Sequence, residues 1–307
     1  MRRFLIDTDT GSDDAVALIL ALKHPDVEIA AITTVAGNVP LRMATQNALY
    51  TVELCGSSVS VYEGLAKPLL RPLETAQFVH GEDGMGDIGL PLRGREPAQG
   101  HAVDVILETF KQPGTELITL GPLSNIAVAL LRDSTLAERV GHCYIMGGTS
   151  DNFGNISLAG EYNVWADPEA AKIVFESGMR ITMIGWDISR KYATFAPEDI
   201  TDLRAIGTPL ANFAVDIQAV LQAYAIAETG LAGFDLPDPI AVAIALEPSL
   251  ITKSQQFHVA VETSSGEARG MTMLDYNARL RRPENTRVVL EADRAGFLAL
   301  LHRALRA

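Results

Sequence analysis

The stretch Asp7-Thr8-Asp9-Thr10-Gly11-Ser12-Asp13-Asp14 sets four carboxylates within eight positions. Like charges packed this closely repel one another, so something must neutralise them. A helix N-terminus relieves part of the repulsion, because its free N–H groups favour anions. Asp13 as the N-cap or N1 residue accounts for one carboxylate. Three are left, and a hard divalent cation accounts for them, since calcium and magnesium both prefer oxygen ligands. A second polar stretch, Gly154-Asn155-Ile156-Ser157-Leu158-Ala159-Gly160-Glu161-Tyr162-Asn163, is rich in amides and poor in cations. Amides and carboxylates suit a neutral polyhydroxylated ligand, because each hydroxyl both donates and accepts. A phosphate would call for Arg, Lys or a glycine-rich cradle.

These groups need elements to position them. Phe4-Leu5-Ile6 reads as a buried strand and Ala15–Leu22 as a buried helix, so the aspartates fall where a strand ends and a helix begins. In an open α/β sheet that rim is where ligands bind. Strand alternation is expected to turn Asp7 and Asp9 to the same side. Further strands are predicted at Glu28–Val35, Val59–Tyr62, Glu116–Leu120, His142–Met146 and Arg180–Ile184. Between them lie helices at Leu41–Cys55, His101–Lys111 and beyond Pro168, the last capped by Asp167. Alternation of this kind implies an α/β chain with a mostly parallel, Rossmann-like open sheet flanked by helices. Asn38, Leu120, Gly121 and Gly147 then stand at strand C-termini beside Asp7 and Asp9.

The segment from Gly64 to about Gly100 is a long Pro- and Gly-rich connection, a length that marks functional or mobile loops. Thr149–Asp167 reads as irregular polar chain. After Trp186 helices are expected at Pro197–Ile206 and Pro209–Glu228, followed by a loop at Gly230–Pro237. Residues 190–235 could form a helical flap over the site within one domain spanning 1–307. Asp238-Pro239 opens an apolar helix, Ile240–Leu246. Two or three strands near Phe257–Glu262, Thr272–Asp275 and Arg287–Glu291 and a helix from Arg294 complete the expectation.

Bulk composition narrows the partners. With 307 residues, 48% of them hydrophobic, the chain can bury a large core. A net charge of −13 argues against nucleic-acid or anionic-membrane binding through a basic face. Cys55 and Cys143 lie in apolar surroundings and read as buried reduced thiols, which fits a cytoplasmic location. The apolar run ahead of Asp7 is too short for a signal peptide, and no run approaches membrane-spanning length.

In order along the chain stand Asp7–Asp14, Asn38, Gly121-Pro122-Leu123-Ser124-Asn125, Met146-Gly147-Gly148, Gly154-Asn155, Glu161-Tyr162-Asn163, Pro237-Asp238-Pro239 and Thr263–Leu274. Together they resemble the inosine–uridine-preferring nucleoside hydrolase family across nearly the whole chain. The resemblance implies calcium-dependent hydrolysis of the N-glycosidic bond of ribonucleosides. By this likeness Asp9 both binds calcium and acts as base on the attacking water. Asp14 and Asp238 are further calcium ligands, Leu120 offers its carbonyl, and Asp7 is a supporting acid. Asp13, Asn38 and Asn163 match residues that hold the ribose 2′ and 3′ hydroxyls. Asn155 and Glu161 match residues for the 5′ hydroxyl, and Met146 one that packs against the sugar. Family members are usually dimers or tetramers, so a homo-oligomer is expected.

One departure matters. Where inosine–uridine members carry a histidine before the last calcium aspartate, associated with protonating the departing base, this chain has Pro237. His80, in Val79-His80-Gly81-Glu82, is a substitute; Tyr224 and Asp235 are others, as is stacking by Trp186, Trp165, Phe234 or Tyr162. Purines carry a protonatable N7, so the loss mildly favours purine nucleosides. Three other readings compete. Asp7-Thr8-Asp9-Thr10-Gly11 also fits a haloacid dehalogenase-type phosphatase, in which Asp7 would be the nucleophile. The chain could bind nucleoside or ribose without turning it over, or hydrolyse a related N-riboside.

Overall fold

The computed structural model describes residues 1–229 and 232–307; Gly230 and Leu231, which fall in the expected flap and loop, lie outside the described residues. The strands run β1 (Arg2–Thr8), β2 (Val27–Thr34), β3 (Val61–Glu63), β4 (Thr115–Thr119), β5 (Cys143–Met146), β6 (Ile181–Ile184), β7 (Thr194–Phe195), β8 (Phe234–Asp235), β9 (Ile251–Phe257), β10 (Val259–Val261), β11 (Thr272–Leu274) and β12 (Thr286–Ala292). Eight of them form one sheet in the order β3-β2-β1-β4-β5-β6-β12-β9. Neighbours are parallel except β9, which closes the edge antiparallel to β12.

The chain builds outward from β1 in one direction through β2 and β3, then returns to lay β4, β5 and β6 on the other side. Successive connections therefore diverge at β1 and β4 and leave a crevice beyond their carboxyl ends. β1 lies in the centre, with Asp7 level with Thr33 of β2 and Thr119 of β4. Phe4, Leu5 and Ile6 are fully buried there, which is why this strand is apolar on both faces.

The helix Ser12–Leu22 leaves β1 directly and packs against Pro237–Leu246. Both are apolar nearly all round because both are buried nearly all round. Each opens with a carboxylate in its first turn, Asp13 and Asp14 in one and Asp238 in the other. Among the described residues no single helix is long and apolar enough to cross a membrane. Cys55 and Cys143 are free and buried.

Several boundaries differ from the sequence expectation. Asp13 is neither N-cap nor N1: Gly11 is the N-cap, and the carboxylate that folds back is Asp14, accepting from the Gly11 N–H at 2.8 Å. The third strand begins at Val61 rather than Val59. A short helix, Tyr162–Ala166, interrupts the stretch read as irregular. The helix expected over Pro209–Glu228 breaks at Ile217-Gln218 into Pro209–Asp216 and Ala219–Tyr224, the latter continuing as a π-helical turn. At the break the Gln218 side-chain amide donates to the Ser12 carbonyl at 2.9 Å and to the Ala214 carbonyl at 3.3 Å. The edge strand β9 escaped notice because its Thr, Lys, Ser and Gln residues carry little apolar alternation.

Asp167 caps the helix Pro168–Phe175 as expected, accepting from Ala170 N at 3.1 Å, and also accepts from Leu69 N at 2.8 Å and Ser124 Oγ at 2.6 Å. It thereby ties three segments together from a fully buried position. Replacing Asp167 with Ala strands those donors and is expected to cost about 3 kcal/mol of stability, read as a shifted denaturant midpoint at unchanged m-value.

Candidate functional site

At the crevice the chain buries its carboxylates instead of exposing them. Asp7, Asp9 and Asp14 have no exposed surface, and Asp13 and Asp238 almost none. Asp9 is gripped from two sides. Its Oδ2 accepts from the Asn38 N–H at 2.7 Å. A Cβ on Gly37 would overlap the same carboxylate, and one on Gly121 would lie 2.6 Å from Oδ1. Both turns are therefore glycine because the Asp9 side chain occupies the space. Asp14 accepts from Thr8 Oγ1 at 2.5 Å and from Asn38 Nδ2 at 3.1 Å. Asp7 lies behind them, tied to Thr33 Oγ1 at 2.5 Å and Asn125 Nδ2 at 2.8 Å.

Charge is the unresolved quantity in this nest. Asp13, Asp14 and Asp238 each offer an oxygen within 4.8 Å of the others. Burial pushes the pKa of Asp13 up to about 7 and that of Asp14 up to about 6, with the neighbouring Asp13 charge adding to the latter. Asp9 and Asp238 are raised well above the usual carboxylate range, first by burial and then by the charges around them. Asp7 rises to about 7 through burial, against the two hydrogen bonds that favour its charged form. Asp9 Oδ1 and Asp13 Oδ1 are buried without a hydrogen-bond partner. Hard oxygens lacking donors and repelling one another are the donor set a divalent cation needs, so the residues fit such an ion.

Above the nest opens a cleft of about 740 Å³, open space included. Asp13, Asn38, Leu120, Met146, Asn155, Glu161, Asn163 and Asp238 line it, and so does His80. Asp9 and Asp14 are not on the lining and stand behind it. Phe78, Val79, Trp186, Leu221, Tyr224, Asp235 and Pro237 supply a more apolar wall. Among the described residues no Lys or Arg lines the cleft. Such a lining favours a neutral ligand over an anion. Of the other residues considered for the leaving group, Tyr162 also lines the cleft, whereas Phe234 is buried on Phe195 and Trp165 lies under Arg269.

Most of these lining groups are held by neighbours. Asn163 Nδ2 donates to the Leu120 carbonyl at 2.7 Å and reaches the Met146 carbonyl and Sδ at 3.3 Å. Glu161 is the N-cap of Tyr162–Ala166, and its carboxylate accepts from Gly148, Asn163 and Val164 N–H groups; burial still raises its pKa to about 7. Asn155 Oδ1 accepts from Tyr162 N at 2.9 Å. His80 Nδ1 lies 3.1 Å from Ser12 Oγ and 3.7 Å from Asp13 Oδ1, and burial lowers its pKa to about 4. It is therefore neutral at pH 7, a hydrogen-bonding group and a poor store of a proton. His101 caps a helix, and His142 bonds Thr182, both away from the cleft.

Some contributors were invisible in the sequence. Tyr162 Oη bridges the Gly37 carbonyl at 2.7 Å and the Glu74 carbonyl at 2.8 Å, fastening the 64–100 segment to the end of β2. Asn47 donates to the Thr10 carbonyl at 3.0 Å and the Asp83 carbonyl at 2.9 Å. Neither has a local signature, since each acts through tertiary contact. The arrangement also weighs against the phosphatase reading. A phosphorylated nucleophile must face its substrate, and Asp7 lies off the cleft with two neighbours bonded to it.

The sequence model of the inosine-uridine preferring nucleoside hydrolase family matches residues 4–299. The pyrimidine-specific ribonucleoside hydrolase RihA of Shewanella sp. (strain MR-7) is 38% identical over 304 residues, covering 98% of this chain and 95% of that protein. Among solved structures, the plant nucleoside hydrolase PpNRh1 superposes with a TM-score of 0.93 at 31% identity, covering 100% of this chain and 99% of that one. The purine-preferring ribonucleoside hydrolase from Gardnerella vaginalis superposes with a TM-score of 0.91 at 30% identity, covering 99% and 98%.

The raised pKa values of the nest have a thermodynamic sign. A carboxyl whose pKa is higher folded than unfolded binds its proton more tightly in the folded state, so its contribution to stability falls as pH rises from about 4 towards 7. A cation removes that loss by replacing the protons. Added calcium is expected to raise the thermal midpoint of metal-stripped protein, and by more at pH 7.5 than at pH 5; at a hundredfold excess over Kd the gain is about 2.7 kcal/mol. Scanning calorimetry at both pH values, with calcium and with chelator, checks this.

Proposed function

Since this chain belongs to the inosine–uridine preferring nucleoside hydrolase family, we propose that it hydrolyses ribonucleosides to ribose and free base with calcium bound in the aspartate nest. Asp9, Asp14, Asp238 and the Leu120 carbonyl would hold the ion, with Asp13 beside them. A bound calcium ion supplies charge neutralisation, polarises oxygen ligands and lowers the pKa of water. Everything else falls to the chain's own groups.

Asp9 Oδ1 is the base in this reading. It is buried and receives no hydrogen bond, while Oδ2 is anchored by Asn38, so one oxygen is fixed and the other is free to accept a proton from water. That asymmetry is the observation on which the proposal stands. Asp13, Asn38 and Asn163 are assigned to the 2′ and 3′ hydroxyls, Asn155 and Glu161 to the 5′ hydroxyl, and Met146 to the face of the sugar. Carboxylates and amide oxygens around the ribose stabilise the positive charge that develops as the glycosidic bond breaks.

The leaving base is assigned to the wall of Phe78, Val79, Leu221, Tyr224 and Trp186, the side on which residues 190–235 would act as a flap. Pro237 donates no proton there. His80 is the group proposed to meet the base, as a neutral hydrogen-bond partner. Purines carry a protonatable N7, so with Pro237 where the histidine stands we infer a mild purine preference. The relatives carry both specificities in their names, pyrimidine in RihA and purine in the Gardnerella enzyme. The reading also includes a homodimer or homotetramer, and a cytoplasmic location in keeping with two buried free thiols.

Asp9→Asn keeps the side-chain shape and removes the base. It is expected to lower kcat by about 10²–10⁴-fold with the fold intact by circular dichroism. A panel of purine and pyrimidine ribonucleosides, read as free ribose with calcium and with chelator, tests the rest. Turnover that survives exhaustive chelation would reject the ion's role, strict uridine preference would reject the purine inference, and tight binding without base release would mark a non-catalytic binder.

A further inference from the structure

The segment leading into the turn that carries Asn155 is gripped by a short helix, in addition to the Tyr276 Oη bond to the Ser150 carbonyl at 2.8 Å and the Gly160–Met271 bridge at the turn's far end. The helix Trp186–Tyr192 presents Trp186, Asp187 and Arg190, spaced one and four residues apart and so on neighbouring faces. Each takes hold of a different point on the irregular segment leading into the turn. Asp187, fully buried, accepts from the Ser150 N–H at 2.9 Å and from Ser150 Oγ at 2.7 Å. Arg190 Nη2 pairs with Asp151 Oδ2 at 2.6 Å. The Phe153 ring lies parallel to the Trp186 indole, 5.9 Å between centroids and 8° between planes, and the Arg190 guanidinium sits 4.8 Å from the Phe153 centroid and 4.6 Å from that of Trp186.

Phe153 is an unexpected residue at this place. It is 57% exposed, so burial alone gives little reason for an aromatic ring here. Its orientation is accounted for by the stack and the cation. Immediately after it the chain turns sharply: a Cβ on Gly154 would strike the Ser157 and Gly160 carbonyls, and Asn155 N bonds Gly160 O at 3.2 Å. The turn is closely packed, tied to Tyr162 N through Asn155 Oδ1 and to Met271 at Gly160, and Phe153 is its attachment on the side next to Asn155 and Ile156, which stand on the cleft lining. The other end of the latch is also at the cleft, since Trp186 lines it and donates through Nε1 to Asp235 at 3.0 Å.

We propose that Arg190 and Phe153 are positioning residues that clamp the 153–160 turn against Trp186 and thereby confer selectivity for the hydroxyl at C5′ of the substrate sugar. This rests on the nucleoside hydrolase reading above, with Asn155 at the 5′ end. The energy of one hydrogen bond to a sugar hydroxyl depends on the donor and acceptor being held in place before the substrate arrives. A loosened turn loses that bond, while Trp186 keeps its place on the base side through its own bond to Asp235. The effect therefore falls on substrates that carry the hydroxyl.

The test compares a ribonucleoside with its 5′-deoxy analogue on the calcium-loaded wild type, Arg190→Leu, Phe153→Ala and the conservative Phe153→Tyr. Wild type is expected to prefer the hydroxylated substrate by about tenfold or more in kcat/KM. Arg190→Leu and Phe153→Ala are expected to raise KM for that substrate by about tenfold, leave the 5′-deoxy analogue within about twofold, and so collapse the preference; Phe153→Tyr keeps it. Equal losses on both substrates, or none on either, would overturn the latch while leaving the hydrolase reading intact. Absence of wild-type turnover on any nucleoside would overturn both together.

Discussion

Mutual repulsion among buried aspartates is the constraint from which the rest of this architecture follows. Asp9, Asp13, Asp14 and Asp238 arrive from two helix N-termini and one strand end and are almost wholly buried, and among the described residues no Lys or Arg lines the cleft to balance them. Partial relief comes from donors: the Asn38 and Gly11 N–H groups, the Thr8 hydroxyl and the positive ends of two helices. These are too few for that many charges. A protein that gave up so much solvation for nothing would be easily improved by replacing the acids with apolar residues. The strain makes sense as a preorganised seat for an ion and for a positively charged sugar.

The parallel sheet is what makes the seat possible. Only an order that places β1 and β4 side by side with connections running opposite ways opens a crevice lined by Asn38 and Leu120 with Asp9 directly behind them. The two most apolar helices, Ser12–Leu22 and Pro237–Leu246, then bring Asp13, Asp14 and Asp238 to that crevice by packing together beneath it. Core and site are one construction, since the apolar contacts that bury these helices are also what hold the like charges close.

Much of this was legible in the residues. The apolar run before Asp7 and the strand–helix alternation to Ile184 specify a parallel sheet, and a ligand rim follows from it. The aspartate cluster pointed to an oxygen-ligated ion, and the fold gathers Asp13, Asp14 and Asp238 into a buried group that could hold one. What escaped was what the chain does through distant contacts. The break at Ile217-Gln218 lies where the Gln218 side chain meets Ser12, the edge strand β9 has the composition of a loop, and the cap position expected for Asp13 is held by Gly11, onto which Asp14 folds back. The hold of the helix Trp186–Tyr192 on Ser150, Asp151 and Phe153 likewise joins segments more than thirty residues apart.

The cleft has two walls of unlike mechanical character. The polar wall grows from strand ends and short turns in which glycines such as Gly37 and Gly121 leave no spare room. The apolar wall is furnished by the brief helix Gln77–His80 and by the broken helical run ending near Thr229, joined across the mouth by the edge-on contact of Phe78 with Tyr224. On the proposed reading, mutational tolerance is lopsided: drift in the second wall would retune which heterocycle is accepted while the aspartate nest stays fixed. Lineages sharing this scaffold are free to diversify in diet without reinventing their chemistry.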